Sequence, residues 1–217
     1  MSRYSTLLFD LDGTIIDSAP GVIECFRYTA GQMGMEMPED PRCLLGPPLT
    51  VSFRKYFGLD DDAVERAVQV YREHYSKVSL FNASVYDGVP EMLRRLSKAG
   101  FQLGIATCKA QIFAEQIMER FGLAQFFTFI GGAGIDGSRN EKAEVIEYVL
   151  RNMGDPDKSG VLMIGDRDND VFGAQAAGID CMGVLWGYGS GKELSLGGAV
   201  KIADTPDKAA DILLRKE

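Results

Sequence analysis

Apolar positions recur along this chain in two rhythms. From residue 86 onward, short continuous apolar runs alternate with stretches of helical period. The runs at 101–106, 126–130, 161–164 and 180–185 read as buried strands. The stretches at 88–99, 110–121, 141–153, 169–177 and 206–215 read as helices, four of them stopped by Gly100, Gly122, Gly154 and Gly178. A further strand is predicted over 5–10, around Thr6-Leu7-Leu8. Between 17 and 80 strand signals are absent. Ser18 and Pro20 open a helix carrying Val22, Phe26, Thr29-Ala30 and Met33, which ends near Gly34. A loop through Pro38 and Pro41 leads to the run at 44–49. A short helix with Phe53, Tyr56 and Phe57 follows, then a longer one over 61–79 with Val64, Ala67-Val68, Tyr71, Tyr75 and Val78 on one face.

Strands alternating with helices predict an α/β fold, a doubly wound, mostly parallel sheet covered on both faces. The core is assigned to 1–16 plus 86–217. Residues 17–85 form an all-helical insert in its first crossover, a lid entered and left near 15–18 and 83–88, which makes a plausible hinge.

The chain has 217 residues, 46% of them hydrophobic, enough to fill a core. A formal net charge of -8 with no basic block argues against nucleic acid or an anionic membrane as partner. An anionic substrate therefore needs a local metal or a placed lysine. Cys25, Cys43, Cys108 and Cys181 form no paired spacing, no signal core follows Arg3, and no run reaches membrane length. Free thiols in a reducing cytoplasm are the simplest reading. The single histidine, His74, excludes sites built on several histidines and is expected to lie exposed on a polar helix face. No GxSxG elbow is present.

Candidate chemistry begins at Phe9-Asp10-Leu11-Asp12-Gly13-Thr14. In extended chain, side chains two apart point to one side, so Asp10 and Asp12 can face one small volume. Gly13 permits a turn that other residues resist. Ligands of open α/β sheets bind beyond the carboxyl ends of the strands. Reading what leaves each strand gives Asp10, then Thr107 with Cys108 and Lys109, then Gly165-Asp166-Arg167-Asp168-Asn169-Asp170; Lys142 opens the helix after the third run. Carboxylates, a hydroxyl and a lysine thus converge from distant parts of the chain.

This ordered set resembles the haloacid-dehalogenase superfamily of phosphatases, and the insert is placed as in its helical-cap branch. Leu45-Gly46-Pro47-Pro48-Leu49, Tyr86-Asp87-Gly88-Val89 and Trp186-Gly187-Tyr188-Gly189-Ser190 are similar to the phosphoglycolate-phosphatase-like group. The resemblance implies Asp10 as nucleophile, forming an aspartyl phosphate, and Asp12 as general acid and then base. It implies magnesium held by the Asp10 side chain, the Asp12 backbone carbonyl and the Asp166 side chain, with Asp170 orienting the metal shell or Lys142. Thr107 would bind phosphoryl oxygens, and Lys142 would neutralise charge on the nucleophile and phosphoryl group. Candidate substrate contacts are Thr107, Cys108, Lys109 and, in the insert, Gly46, Pro47 and Arg54. Cys108, Asp87 and the lack of a proline after Lys142 depart from the family pattern. The presence of Asp12 argues against dehalogenation. The implied activity is hydrolysis of a small phosphorylated metabolite, phosphoglycolate first. A 5'-nucleotidase, a pyrophosphatase and a β-phosphoglucomutase-like phosphotransferase are the rivals within the superfamily, and a receiver-like phospho-acceptor module the rival outside it. The oligomeric state is not legible.

Three other patterns lead nowhere. Residues 132–137 match GxGxxG, but the helix starts too late for a dinucleotide site, so a turn near Lys142 is expected. Asp166, Asp168 and Asp170 imitate a calcium loop whose sixth and twelfth positions are here Val171 and Ala177. Gly191-Lys192 lacks the rest of a Walker loop.

Overall fold

The computed structural model describes residues 3–215. In chain order, β1 (Thr6–Phe9) leads through β2 (Ile16–Asp17) to α1 (Ala19–Met33), α2 (Leu49–Phe57) and α3 (Asp61–His74). After β3 (Ser84–Val85) come α4 (Val89–Lys98), β4 (Gln102–Ala110), α5 (Gln111–Arg120), β5 (Phe129–Ala133) and α6 (Lys142–Asn152). The chain closes with β6 (Val161–Gly165), α7 (Asp168–Ala176), β7 (Asp180–Val184), α8 (Gly191–Gly197), β8 (Lys201–Ala203) and α9 (Pro206–Leu214). It divides into two compact units, Met1–Ile16 with Val85–Glu217, and Asp17–Ser84.

The first unit is built on a six-stranded sheet in the order β5-β4-β1-β6-β7-β8, parallel throughout. Leu8 pairs with Gly104 on one side and Met163 on the other. Leu7, Leu8 and Phe9 are fully buried, because helices cover both faces and no polar alternation is needed. On one face, Leu8, Ala106, Met163 and Cys181 pack against Val145, Ile146 and Val149 of α6, Val171 and Ala174 of α7, and Leu194 of α8. Each such aliphatic side chain contributes about 1.5–3 kcal/mol by leaving water. Helices α4, α5 and α9 cover the other face, as right-handed crossovers require.

The second unit is helical around an aromatic core. Phe26 of α1 lies 5.1 Å from Phe53, 6.0 Å from Phe57 and 5.0 Å from Tyr71, ring centre to ring centre. Gly34 ends α1 in the left-handed region with φ 67.

Several expectations need correction. The run at 126–130 splits into a 3₁₀ turn, Ala124–Phe126, and a strand that begins only at Phe129. That strand runs on through Gly131, where a Cβ would meet Val149 Cγ2 at 2.4 Å, so the glycine lets α6 lie against it. The second core strand extends past residue 106 to Ala110, with a register shift between Thr107 and Ala110. The helix over 61–79 is α-helical only to His74; Tyr75–Ser79 is a wider π turn. Helix α8 and strand β8 were not expected; one is seven residues between glycines and the other three residues long. His74 is not exposed: its ring stacks on Tyr28 at 3.8 Å, and its side chain is 15% accessible beside Glu24.

Candidate active site

The carboxyl edge of the sheet gathers the chemistry. Asp10 still belongs to the ladder through its N–H, which donates to the Ile164 carbonyl at 2.9 Å. The chain then turns sharply. The Leu11 carbonyl accepts from the N–H groups of Ile15 at 2.9 Å and Ile16 at 3.0 Å, with Thr14 at 3.3 Å. Gly13 makes this turn with φ 84, and a Cβ there would sit 2.3 Å from Asp166 Oδ2. Both the conformation and the space demand glycine.

Lys142, the first residue of α6, is 3% exposed. Its ammonium donates to Asp10 Oδ1 at 2.8 Å and to the Ala106 carbonyl at 2.9 Å. It also lies 2.8 Å from Asp170 Oδ1, an ion contact without hydrogen-bond alignment. Two close glycines make room. A Cβ on Gly173 would meet Lys142 Cγ at 2.3 Å, and one on Gly165 would meet Asp170 Cγ at 2.2 Å.

Asp10, Asp166 and Asp170 each offer an oxygen, all within 4.8 Å of one another. Burial pushes the Asp10 carboxyl up to about 6, although Lys142 pulls it down; Asp170 and Asp12 add to the rise. Burial, then the charges of Asp170 and Asp10, raise Asp166 well above the ordinary range. Burial works against the Lys142 charge, but Asp10 and Asp170 outweigh it and hold the ammonium well above its usual pKa. The cluster sets three carboxyl groups against a single lysine. An all-oxygen donor set in that state suits a hard divalent cation.

Asp12 stands apart from the cluster in its partner. Its Oδ2 is paired with Lys109 at 2.9 Å, the side chains being 20% and 9% accessible, and its buried Oδ1 has no hydrogen-bond partner. Thr107 is 1% exposed, and its hydroxyl accepts from the Lys109 N–H at 3.2 Å. Burial raises the Cys108 thiol to about 11, and its sulfur lies 3.7 Å from Asn169 Nδ2.

The structure thus brings together Asp10, Asp12, Thr107, Lys109, Lys142, Asp166 and Asp170 in the first unit. Lys109 meets Asp12, a pairing not expected of a candidate substrate contact. Asp170 shares the acid cluster as well as contacting Lys142. Gly46, Pro47 and Arg54 belong to the helical unit. There Gly46 has φ 100 and Arg54 forms an exposed pair with Asp61 at 2.6 Å.

One part of the site was missed as machinery. The chain leaving β7 wraps Asp166: the Tyr188 N–H donates to Asp166 Oδ2 at 2.7 Å, the Thr14 hydroxyl to Oδ1 at 3.3 Å, and the Trp186 indole to the Thr14 carbonyl at 2.9 Å. The signal was present in the alternating glycines of Trp186-Gly187-Tyr188-Gly189, at the same sheet edge as the acids. Gly132 and Ala133 complete β5, and the expected turn is confined to the residues that follow, the Gly134 N–H donating to the Ser138 carbonyl at 2.7 Å.

A family model described as haloacid dehalogenase-like hydrolase matches residues 7–184. A 5'-nucleotidase of Pseudomonas aeruginosa is 37% identical over 194 residues, 88% of this chain and 87% of that protein. The tyrosine-protein kinase PtkA of Mycobacterium tuberculosis is 40% identical over 185 residues, 84% of this chain and 62% of that protein. The crystal structure of a predicted phosphatase from Clostridium acetobutylicum matches with a TM-score of 0.92 at 36% identity, covering 97% of this chain and 98% of that one. Proteins named phosphoglycolate phosphatase and pyrophosphatase are further relatives. Given the span of the family match and the identity of these relatives, this chain belongs to the haloacid dehalogenase-like hydrolases and is one of that family's phosphatases.

Proposed function

We propose that the protein hydrolyses small phosphomonoesters through an aspartyl phosphate on Asp10, with magnesium held among Asp10, Asp166 and Asp170. The observation that carries the reading is the juxtaposition of Asp10 with both the acid cluster and the Lys142 ammonium, 2.8 Å away, while its side chain stays 13% accessible. When bound, the cation offsets the repulsion between a carboxylate and a phosphate dianion and draws charge from the phosphoryl oxygens.

An Asp10 oxygen attacks phosphorus, and the bond from phosphorus to the ester oxygen breaks. Asp12 delivers its proton to that departing oxygen. Asp12 then takes a proton from water, which attacks the same phosphorus; the bond to Asp10 breaks, and orthophosphate leaves with the carboxylate restored. Lys109, paired with Asp12, orients this acid between the two steps. Lys142 stabilises charge on Asp10 and the phosphoryl group as bonds change, a contribution of about 10²–10³ in rate for such a donor. In this reading the Thr107 hydroxyl binds phosphoryl oxygens. Selection of the leaving group is assigned to Gly46 and Pro47 of the helical unit, and the protein to the cytoplasm.

Among substrates, a nucleoside 5'-monophosphate ranks ahead of phosphoglycolate. This reverses the order read from the sequence. The nucleotidase relative is 37% identical, whereas a phosphoglycolate phosphatase of Colwellia psychrerythraea, matching 94% of this chain, is 29% identical.

The test is steady release of orthophosphate from p-nitrophenyl phosphate and from a panel of phosphorylated metabolites with magnesium present. Asp10→Asn should fold and retain less than about a hundredth of the activity; more than that, or a single turnover with no steady state, defeats the proposal. Phosphate appearing on a protein acceptor instead of in solution would mark the transfer named in the kinase relative.

A further inference from the structure

The chain leaving β7 does something that neither the acids nor the lysine accounts for. It closes round Asp166 more tightly than packing alone requires. A Cβ on Gly187 would sit 2.2 Å from the Gly13 carbonyl oxygen and 2.5 Å from Asp166 Oδ2; one on Gly189 would sit 1.9 Å from the Asp166 carbonyl oxygen. Glycine at both positions brings backbone, not side chain, against the buried acid. The close approach delivers the Tyr188 N–H to Asp166 Oδ2 at 2.7 Å, a short bond to an acid that is fully buried. Two residues back, Trp186 reaches over to the Thr14 carbonyl at 2.9 Å, and Thr14 in turn donates to the other Asp166 oxygen at 3.3 Å. Asp166, Thr14 and Trp186–Gly189 thus form one closed loop of contacts, joined to the turn that carries Asp12 and Gly13.

We propose that Trp186–Gly189 is a strap that positions Asp166 for the cation. It occupies one lone pair on Oδ2 and, through Thr14, one on Oδ1, so each carboxylate oxygen keeps a single direction open. Fixing those directions sets how tightly the cation is held and where it lies relative to Asp10. Trp186 and Gly187 are accordingly positioning residues. The inference rests on the cation assignment above and adds to it a part of the chain outside the acid cluster. Partners behind a metal ligand of this kind change metal affinity about 10–100-fold when removed.

Trp186 is the chain's single tryptophan, so its fluorescence reports the strap without a label. The experiment titrates magnesium alone into the intact protein, by that fluorescence and by calorimetry, and repeats the calorimetry on Trp186→Phe and Gly187→Ala. Trp186→Phe keeps an aromatic side chain, though a smaller one, and removes the indole N–H that reaches the Thr14 carbonyl, so it should fold. A wild-type fluorescence change that saturates with the calorimetric isotherm is expected. The magnesium dissociation constant should rise about tenfold or more in Gly187→Ala. It should rise about three- to tenfold in Trp186→Phe, the loss of one neutral hydrogen bond. In Trp186→Phe, the magnesium concentration that gives half-maximal turnover should rise by the same factor as the calorimetric dissociation constant. An unchanged dissociation constant in folded Trp186→Phe overturns the strap whether or not Gly187→Ala folds, and so does a wild type that binds no magnesium. Strap-dependent binding without ester turnover would leave the strap standing and defeat the phosphatase mechanism instead.

Discussion

Replacing Lys142 by Met isolates one charge. The stem, which crosses Gly173, is retained; the ammonium that lies 2.8 Å from Asp10, 2.8 Å from Asp170 and 2.9 Å from the Ala106 carbonyl is removed. At an effective dielectric of about 20, each ion contact is worth roughly 6 kcal/mol before desolvation is subtracted. Burial consumes most of that, and breaking a buried pair from one side costs about 3–5 kcal/mol net. The orphaned Ala106 carbonyl adds about 1 kcal/mol. The loss should depend on pH in a defined sense. Without the ammonium, Asp10 climbs further above about 6, so the folded variant binds protons that the unfolded chain has released. Destabilisation is then largest above pH 7 and fades toward pH 5. Urea unfolding in EDTA at pH 5 and pH 8, followed by Trp186 fluorescence, measures both values. A loss below about 1 kcal/mol at pH 8, or an equal loss at the two pH values, would refute the electrostatic account of Lys142. With magnesium and substrate, kcat should fall about 10²–10³.

Metal-free wild type should lose stability as pH rises from about 4 through about 6, by roughly 3 kcal/mol from Asp10 alone, because its folded carboxyl titrates about two units above the unfolded one. Asp166, raised for the same first cause, acts in the same sense; urea midpoints in EDTA that climb over this interval would contradict the assignment. Gly13→Ala combines a φ of 84 with a Cβ 2.3 Å from Asp166, and should cost about 2–4 kcal/mol, seen as a fall in Tm of about 5–10 °C. A melt within about 1 °C of wild type would mean the turn relaxes freely. Asp12→Asn should slow the first turnover of an alkyl phosphate about 10²–10⁴-fold and that of p-nitrophenyl phosphate far less, since nitrophenolate leaves without a proton. Equal losses on the two esters in rapid-mixing experiments would remove Asp12 as the acid.

Much of this architecture is written locally. The strand before Asp10 and the one before Asp166 are continuous apolar runs, so their ends, and the acids on them, follow from pattern and from the carboxyl-edge rule. Helix ends were equally legible where a glycine takes a positive φ, as at Gly34 and Gly122. Strand β5 was misplaced because Gly131 and Gly132 read as loop; their purpose, close approach of α6 and of the Lys109–Gln111 backbone, lies in contacts made far away in sequence. Lys109 read as a substrate contact because nothing local shows that the bulged backbone turns it toward Asp12. Asp170 was taken as an orienting residue, and only the depth of Gly165 reveals how near it comes to the cluster. The strap was legible as a signature and illegible as a device, since its donors are backbone groups.

Cys108 follows Thr107 at the carboxyl edge of the sheet, where burial raises its thiol to about 11. At neutral pH about one molecule in ten thousand carries the thiolate there. Alkylating agents and peroxides attack that anion, so Cys108 should react with them far more slowly than an exposed thiol does.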